Sequence, residues 1–175
     1  MNASIAPLQP AEINVLIALA HHIWHAHYPP IIGLAQTRYM LAQRYTPDVI
    51  QRELERNDLW WDTVSLDGEM IGFASSFVAE DPGAVKLDKL YIHPAQQRRG
   101  HGGLLLAHTC RRASRLGLER VVLAVNKHNS AAIAAYRKHG FDIVDTVVKE
   151  IGGGFVMDDY IMARALGPMD DASLQ

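Results

Sequence analysis

The chain has 175 residues, 49% of them apolar and 21% charged, with a net charge of −2, which fits one soluble domain with a substantial core. No basic stripe supports nucleic acid as a partner, no apolar run approaches the ~20 residues of a membrane span, and the start lacks a charged-then-apolar leader pattern. Cys110 is the single cysteine and excludes an internal disulfide, in keeping with a reducing, cytoplasmic setting. The nine histidines show no tight spacing with cysteine or carboxylate, so no metal is expected.

Ile5 to Leu8 reads as a short strand, at a sheet edge or frayed because Pro7 lacks an amide donor. Ala11 to His27 reads as a helix, with Ile13, Leu16, Ile17, Ala20 and Trp24 at three- and four-residue steps, and Pro29-Pro30 ends it. His21 and His25 sit one turn apart on it, a spacing open to metal ligation but equally to partial exposure or pocket lining. Leu34 to Gln43 is a second helical stretch. Thr46-Pro47-Asp48 starts a third, to about Arg56, with a capping hydroxyl, proline at the first position and a carboxylate in the first turn.

Trp60 to Leu66 and Met70 to Val78 read as strands joined by a tight Asp67-Gly68 hairpin. After the turn Glu80 to Gly83, Val85 to Ile92 is the next strand. A helix runs from about Gly100 to Leu116 and stops at Gly117. Val121 to Val125 is a short continuous apolar run, the pattern of a buried parallel strand, and the set makes a right-handed strand–helix–strand unit. Ala131 to His139 is helical and ends at Gly140; Phe141 to Lys149 and Phe155 to Ala165 read as an antiparallel strand pair. The arrangement predicts one domain over residues 1–167 and a polar tail over 168–175.

Leu87 to Gly103 organises the chain: an apolar strand ending at Pro94, then Gln97-Arg98-Arg99-Gly100-His101-Gly102-Gly103, then a leucine-rich helix. A helix N-terminus carries four unpaired backbone N–H groups and the positive end of the macrodipole. Glycines let the backbone approach an anion, and two arginines add charge, so the turn suits a phosphate or pyrophosphate. A P-loop would need Gly-Lys-Ser/Thr at its end, and a dinucleotide fingerprint would need glycine where Leu105 stands. Gln97-x-x-Gly100-x-Gly102 after a strand resembles instead the acyl-CoA site of the GNAT superfamily of N-acyltransferases. A second stretch shares that resemblance: Asn129, Tyr136 seven residues later, and Gly140-Phe141. Asn129 and Tyr136 fall on nearly one helix stripe, ~10 Å apart along the axis. Read locally, Asn129 is also an N-cap and Tyr136 a packed aromatic.

The resemblance implies a GNAT-like α/β fold, a twisted mixed sheet of about seven strands flanked by about four to five helices. It implies acetyl-CoA as cosubstrate and an amine as acceptor. The pyrophosphate would meet Arg98, Arg99, Gly100, His101, Gly102 and Gly103. The pantetheine arm would pair with the strand at Leu90, Tyr91 and Ile92 and reach Asn129, and a backbone N–H there would polarise the thioester carbonyl. Tyr136 would protonate the departing thiolate. Some family members carry a glutamate as base where this chain has Ala124; Asp88 is the substitute considered, against a salt bridge with Lys86 or a nearby arginine, or a water chain. Cys110 is read as a buried structural thiol rather than an acyl carrier.

The resemblance further implies an acceptor pocket built by the first two helices and the late hairpin. Trp24, His25, His27 and Tyr28 on one side and Phe155, Met157, Asp158, Asp159 and Tyr160 on the other suit a cationic amine. The helical stretch ending Thr46-Pro47-Asp48, the strand Leu87-Asp88-Lys89-Leu90-Tyr91-Ile92 and the late Asp159-Tyr160-Ile161-Met162 together resemble the spermidine/spermine acetyltransferase branch, which implies a small-molecule amine as partner. A peptide or protein N-terminal acetyltransferase, an antibiotic-modifying enzyme and a non-catalytic CoA-binding sensor stay open. A homodimer would cover open sheet edges.

Overall fold

The structure, a computed structural model, describes residues 2–167, so the predicted tail lies outside the described residues. Strands β1 (Ala3–Pro7), β2 (Leu59–Leu66), β3 (Glu69–Val78), β4 (Ala84–Ile92), β5 (Arg120–Asn126), β6 (Asp142–Gly152) and β7 (Phe155–Ala165) form one seven-stranded sheet. Its order is β1-β2-β3-β4-β5-β7-β6, and β4 with β5 is its parallel pair. Six helices accompany it: α1 (Ile13–His27), α2 (Pro29–Ile32), α3 (Leu34–Arg44), α4 (Pro47–Leu54), α5 (His101–Arg115) and α6 (Ser130–Lys138). This is the mixed α/β architecture that the sequence predicts, with one more helix. Pro29-Pro30 does end α1, but it also occupies the first positions of the short α2, where a missing N–H costs nothing.

Local chemistry accounts for most boundaries. The Thr46 hydroxyl accepts from the Val49 N–H at 3.3 Å and starts α4. Asp67 and Gly68 both have positive φ, the two-residue turn that matches strand twist. β1 lies at the sheet edge, the first of the two readings that Pro7 allows, paired with β2.

The sheet separates two cores. On one face α5 sets Leu105, Leu106, Cys110 and Ala113 against Val85, Leu87, Val121 and Leu123. On the other, α1, α3 and α4 bring Trp24, Leu41 and Ile50 against Trp61 and Phe73.

Between the two faces runs β4, and it changes phase midway. Ser76 pairs with Leu87 and Ser75 with Lys89, so Asp88 is an extra, bulged residue. Val85 and Leu87 precede the bulge and face α5; Leu90 and Ile92 follow it and pack on that same core, which turns Lys89 and Tyr91 to the α1 side. The bulge also coincides with a parting of strands. β4 and β5 pair only from Ala84↔Arg120 to Leu87↔Leu123 and then separate. Beyond Leu87, β4 stays paired to β3 while its other edge opens.

Gly72 on β3 supports that far end. A Cβ there would stand 2.5 Å from Ile92 Cδ1 and 2.7 Å from the Tyr91 carbonyl oxygen. Gly72→Ala is therefore expected to destabilise the fold by about 1–3 kcal/mol, read as a lower urea midpoint at unchanged m-value.

Candidate active site

The parted strands open into a cleft of about 1030 Å³ that reaches from the α5 turn to the late hairpin. One wall is the free edge of β4. The His93 N–H donates to the Ile71 carbonyl on β3 at 2.8 Å. Amides alternate along a strand, so the Leu90 and Ile92 N–H groups point away from β3, into the opening. Unpaired backbone donors at a strand edge can hold an extended ligand or polarise a carbonyl.

At the end of β4 the turn is braced from within. His93 Nδ1 accepts from the Ala95 N–H at 3.1 Å, and the Gln97 side-chain amide donates to the Ile92 carbonyl at 3.1 Å. Gly100 has φ +88, a left-handed conformation that glycine adopts without strain, and the next residue begins α5. Each glycine has its own reason. A Cβ at Gly102 would meet Leu90 Cδ2 at 3.7 Å, ordinary contact, whereas one at Gly103 would lie 2.9 Å from His139 Cε1. Gly103 thus lets the end of α6 approach α5. Arg98, Gly100, Gly102 and Gly103 line the cleft; Arg99 is exposed beside it, and His101 buries Nδ1 without a partner among the described residues.

The opposite wall is α6. Asn129 and Tyr136 both line the cleft, as their helical spacing predicts. Asn129 is 5% exposed and its side chain makes no cap hydrogen bond; its Oδ1 meets His27 Nε2 at 3.1 Å instead, joining α1 to α6 across the cleft. Tyr136 packs its ring against Phe141, centroids 5.7 Å apart. Burial, aided by the Tyr28 phenol, pushes the Tyr136 hydroxyl above its ordinary value, so it holds its proton at neutral pH.

Asp88 sits between two cations. Arg44 Nη2 lies 2.8 Å from its Oδ2, and Lys89 Nζ reaches the same oxygen. Burial alone would raise its carboxyl, but Arg44 and then Lys89 outweigh that and hold it well below the usual carboxylate range. A carboxylate so stabilised accepts a proton poorly near neutral pH. The arginine of the ion-pair alternative is Arg44, with Lys89 in place of Lys86. Lys89 itself is 3% exposed, 4.9 Å over the Trp61 ring.

On the α1 side the Tyr28 and Tyr91 hydroxyls meet at 3.0 Å, and Trp24 packs on both rings. Tyr91 therefore offers the cleft its backbone while its side chain belongs to this aromatic cluster. From β7, Met157, Asp159 and Ile161 face the cleft; Phe155 packs on Tyr39, and Asp158 pairs with Lys127. His139, Gln96 and Arg44 also line the cleft, and no local pattern in the sequence marks them. Cys110 is buried in the α5 core, where desolvation raises its thiol, in line with the structural reading. His21 and His25 stack at 5.9 Å outside the cleft, and among the described residues no group of three or more His, Cys, Asp or Glu is placed to hold a metal.

Residues 20–141 match the acetyltransferase (GNAT) family. The spermidine N(1)-acetyltransferase of Thermoplasma acidophilum is 24% identical over 162 residues, covering 90% of this chain and 97% of its own length. The mycothiol acetyltransferase of Salinispora tropica is 30% identical over 99 residues, covering 51% of this chain and 32% of that protein. Among solved structures, the PaiA N-acetyltransferase of T. acidophilum in complex with coenzyme A superposes with a TM-score of 0.83 at 23% identity, covering 94% of this chain and 99% of that one. The ribosomal-protein-S18-alanine N-acetyltransferase of Escherichia coli superposes with a TM-score of 0.71 at 19% identity, covering 99% of each chain. At these identities the two structures share the fold.

Proposed function

This chain belongs to the acetyltransferase (GNAT) family and is an acetyl-CoA-dependent N-acetyltransferase; from that premise we propose that it acetylates a small, polyamine-like primary amine by direct attack in a ternary complex. The observation that carries the reading is the parting of β4 from β5 after Leu87, with Tyr136 on the facing wall of the cleft. Residues 1–167 form one acyl-CoA N-acyltransferase domain in this reading. The pyrophosphate rests on the turn from Arg98 to Gly103, and the pantetheine arm extends along Leu90 to Ile92 toward Asn129. A free β4 amide polarises the thioester carbonyl. The amine nitrogen attacks, the C–N bond forms and the C–S bond breaks. Tyr136 protonates the thiolate, and the second proton lost by the nitrogen restores the phenol. Asp88 takes a positioning role here, fixing Arg44 at the cleft wall rather than serving as base.

The small-amine reading is supported by the near full-length relative that bears the name spermidine N(1)-acetyltransferase and by the aromatic lining of Trp24, Tyr28 and Tyr39. Free-thiol release from acetyl-CoA, measured with polyamines, aryl-alkylamines, aminoglycosides and short peptides, tests it. Saturable release with polyamines is expected; release with peptides alone would place the chain with N-terminal acetyltransferases, and silence alongside acetyl-CoA binding would make it a sensor.

Two further readings complete the proposal. β6 lies at the outer edge of the sheet and exposes Val144 (61%) and Val148 (66%), a surface that a homodimer would cover. Sedimentation velocity at micromolar concentration should then show a dimer. The cytoplasmic reading is supported by the buried lone thiol; no helix among the described residues is long and apolar enough to cross a membrane.

A further inference from the structure

We infer that Asp159 is the anionic anchor of the acceptor: it holds the ammonium of the incoming amine and takes its proton before attack. The inference rests on amine acetylation as proposed above and names the group that the reaction lacks.

Two carboxylates line the cleft among the described residues, Asp88 and Asp159. Asp88 is already engaged by Arg44 and Lys89. Asp159 is 7% exposed, and its Oδ1 is buried with no hydrogen-bond partner among the described residues. An unpaired buried carboxylate is unfavourable unless a cation or donor meets it. No ion pair to it forms among the described residues, although Lys86, Arg44 and Lys127 are near enough to favour its charged form and the Tyr28 phenol of α1 is near enough to feel its charge. Arg44 of α3 is bound to Asp88, Lys127 of the β5–α6 turn to Asp158, and Lys86 of β4 lies over the Phe77 ring at 5.9 Å. Asp158 precedes it on β7, and Val147 of β6 is its cross-strand partner.

The sheet aims it into the cleft. Ala124 pairs with Ile161 and Asn126 with Asp159 across β5 and β7, and directly opposed residues share a face. Asp159 therefore lies diagonal to Ala124, whose methyl leaves that part of the wall open. Burial, with the Asp158 carboxylate beside it, raises the Asp159 carboxyl from its ordinary value, in the direction a proton acceptor needs.

The step balances. An alkylammonium transfers one proton to the Asp159 carboxylate; the freed lone pair forms the C–N bond, the C–S bond breaks, and Tyr136 protonates the thiolate as above. Asp159 returns its proton to solvent, so one proton is released per acetyl group transferred. The ligand class is a primary alkylammonium, its methylenes set against Trp24 and Tyr28.

Calorimetric titration of 1,4-diaminobutane into the enzyme saturated with coenzyme A tests the anchor without turnover. Asp159→Asn should weaken the diamine at least about tenfold while coenzyme A affinity stays as in the wild type, and Asp159→Glu should recover most of the loss. In the wild type, acidification through the raised Asp159 carboxyl should weaken the diamine; in the Asn variant that dependence should vanish. Equal diamine affinity and pH response in wild type and Asn variant would overturn the inference, as would a wild type that binds no diamine. Binding through Asp159 without acetyl transfer to the diamine would support the anchor, overturn its role as base and reject the acceptor under Proposed function.

Discussion

Tyr136→Phe is expected to lower kcat by about 10²-fold or more and to leave the Kd of acetyl-CoA near that of the wild type. The substitution removes one hydroxyl from α6 and keeps the ring against Phe141, so packing survives. A loss of that size corresponds to about 2.7 kcal/mol of barrier, within the range of a positioned proton donor. The hydroxyl is suited to the role because burial raises it and keeps it protonated. Single-turnover rates and acetyl-CoA titration, measured on the same preparation, check both halves. An unchanged rate would remove Tyr136 from the reaction, and an equal loss in acetyl-CoA affinity would make it a binding residue instead.

The second large effect concerns stability. Asp88→Asn should cost about 3 kcal/mol, because it leaves Arg44 and the buried Lys89 without their shared anion. For a chain of this size that is a fall in Tm of roughly 6–12 °C. Lys89 identifies the source of the cost. Burial depresses its ammonium, and the attraction of Asp88 offsets only part of that. Lys89→Met should therefore be tolerated alone and should recover part of the loss in the double variant, a coupling that a double-mutant cycle measures. The pH dependence has a definite sign. The folded Asp88 carboxyl lies below its unfolded value, so its contribution is fully present above about pH 4 and is lost as pH falls further toward the folded value. The Asn variant should lack this acid-side loss. A wild type and variant with parallel stability curves below pH 4 would show that the pair adds nothing to the fold.

Much of this molecule is determined by local sequence chemistry. The Thr46 hydroxyl starts α4, Asp67-Gly68 turns β2 into β3, and Gly100 allows the left-handed step before α5; each acts within a few residues of itself. The strand–turn–helix from Leu87 to Gly103 and the Asn129-to-Tyr136 stripe are legible for the same reason, since backbone geometry and helical pitch alone place them.

Tertiary structure decided what depends on distant partners. β7 lies between β5 and β6, an order that neither strand's own pattern encodes. The bulge at Asp88 moves Lys89 and Tyr91 to the opposite face, because side chains alternate and one extra residue reverses the phase. Asn129 reads locally as a cap, yet its side chain meets His27, 102 positions earlier. The two carboxylates of the cleft differ most clearly: both are plain aspartates on strands, and only folding gives Asp88 two ion-paired cations and Asp159 no ion pair among the described residues. A charge takes its character from what stands within a few ångströms of it, and in this chain those neighbours arrive from other strands and helices.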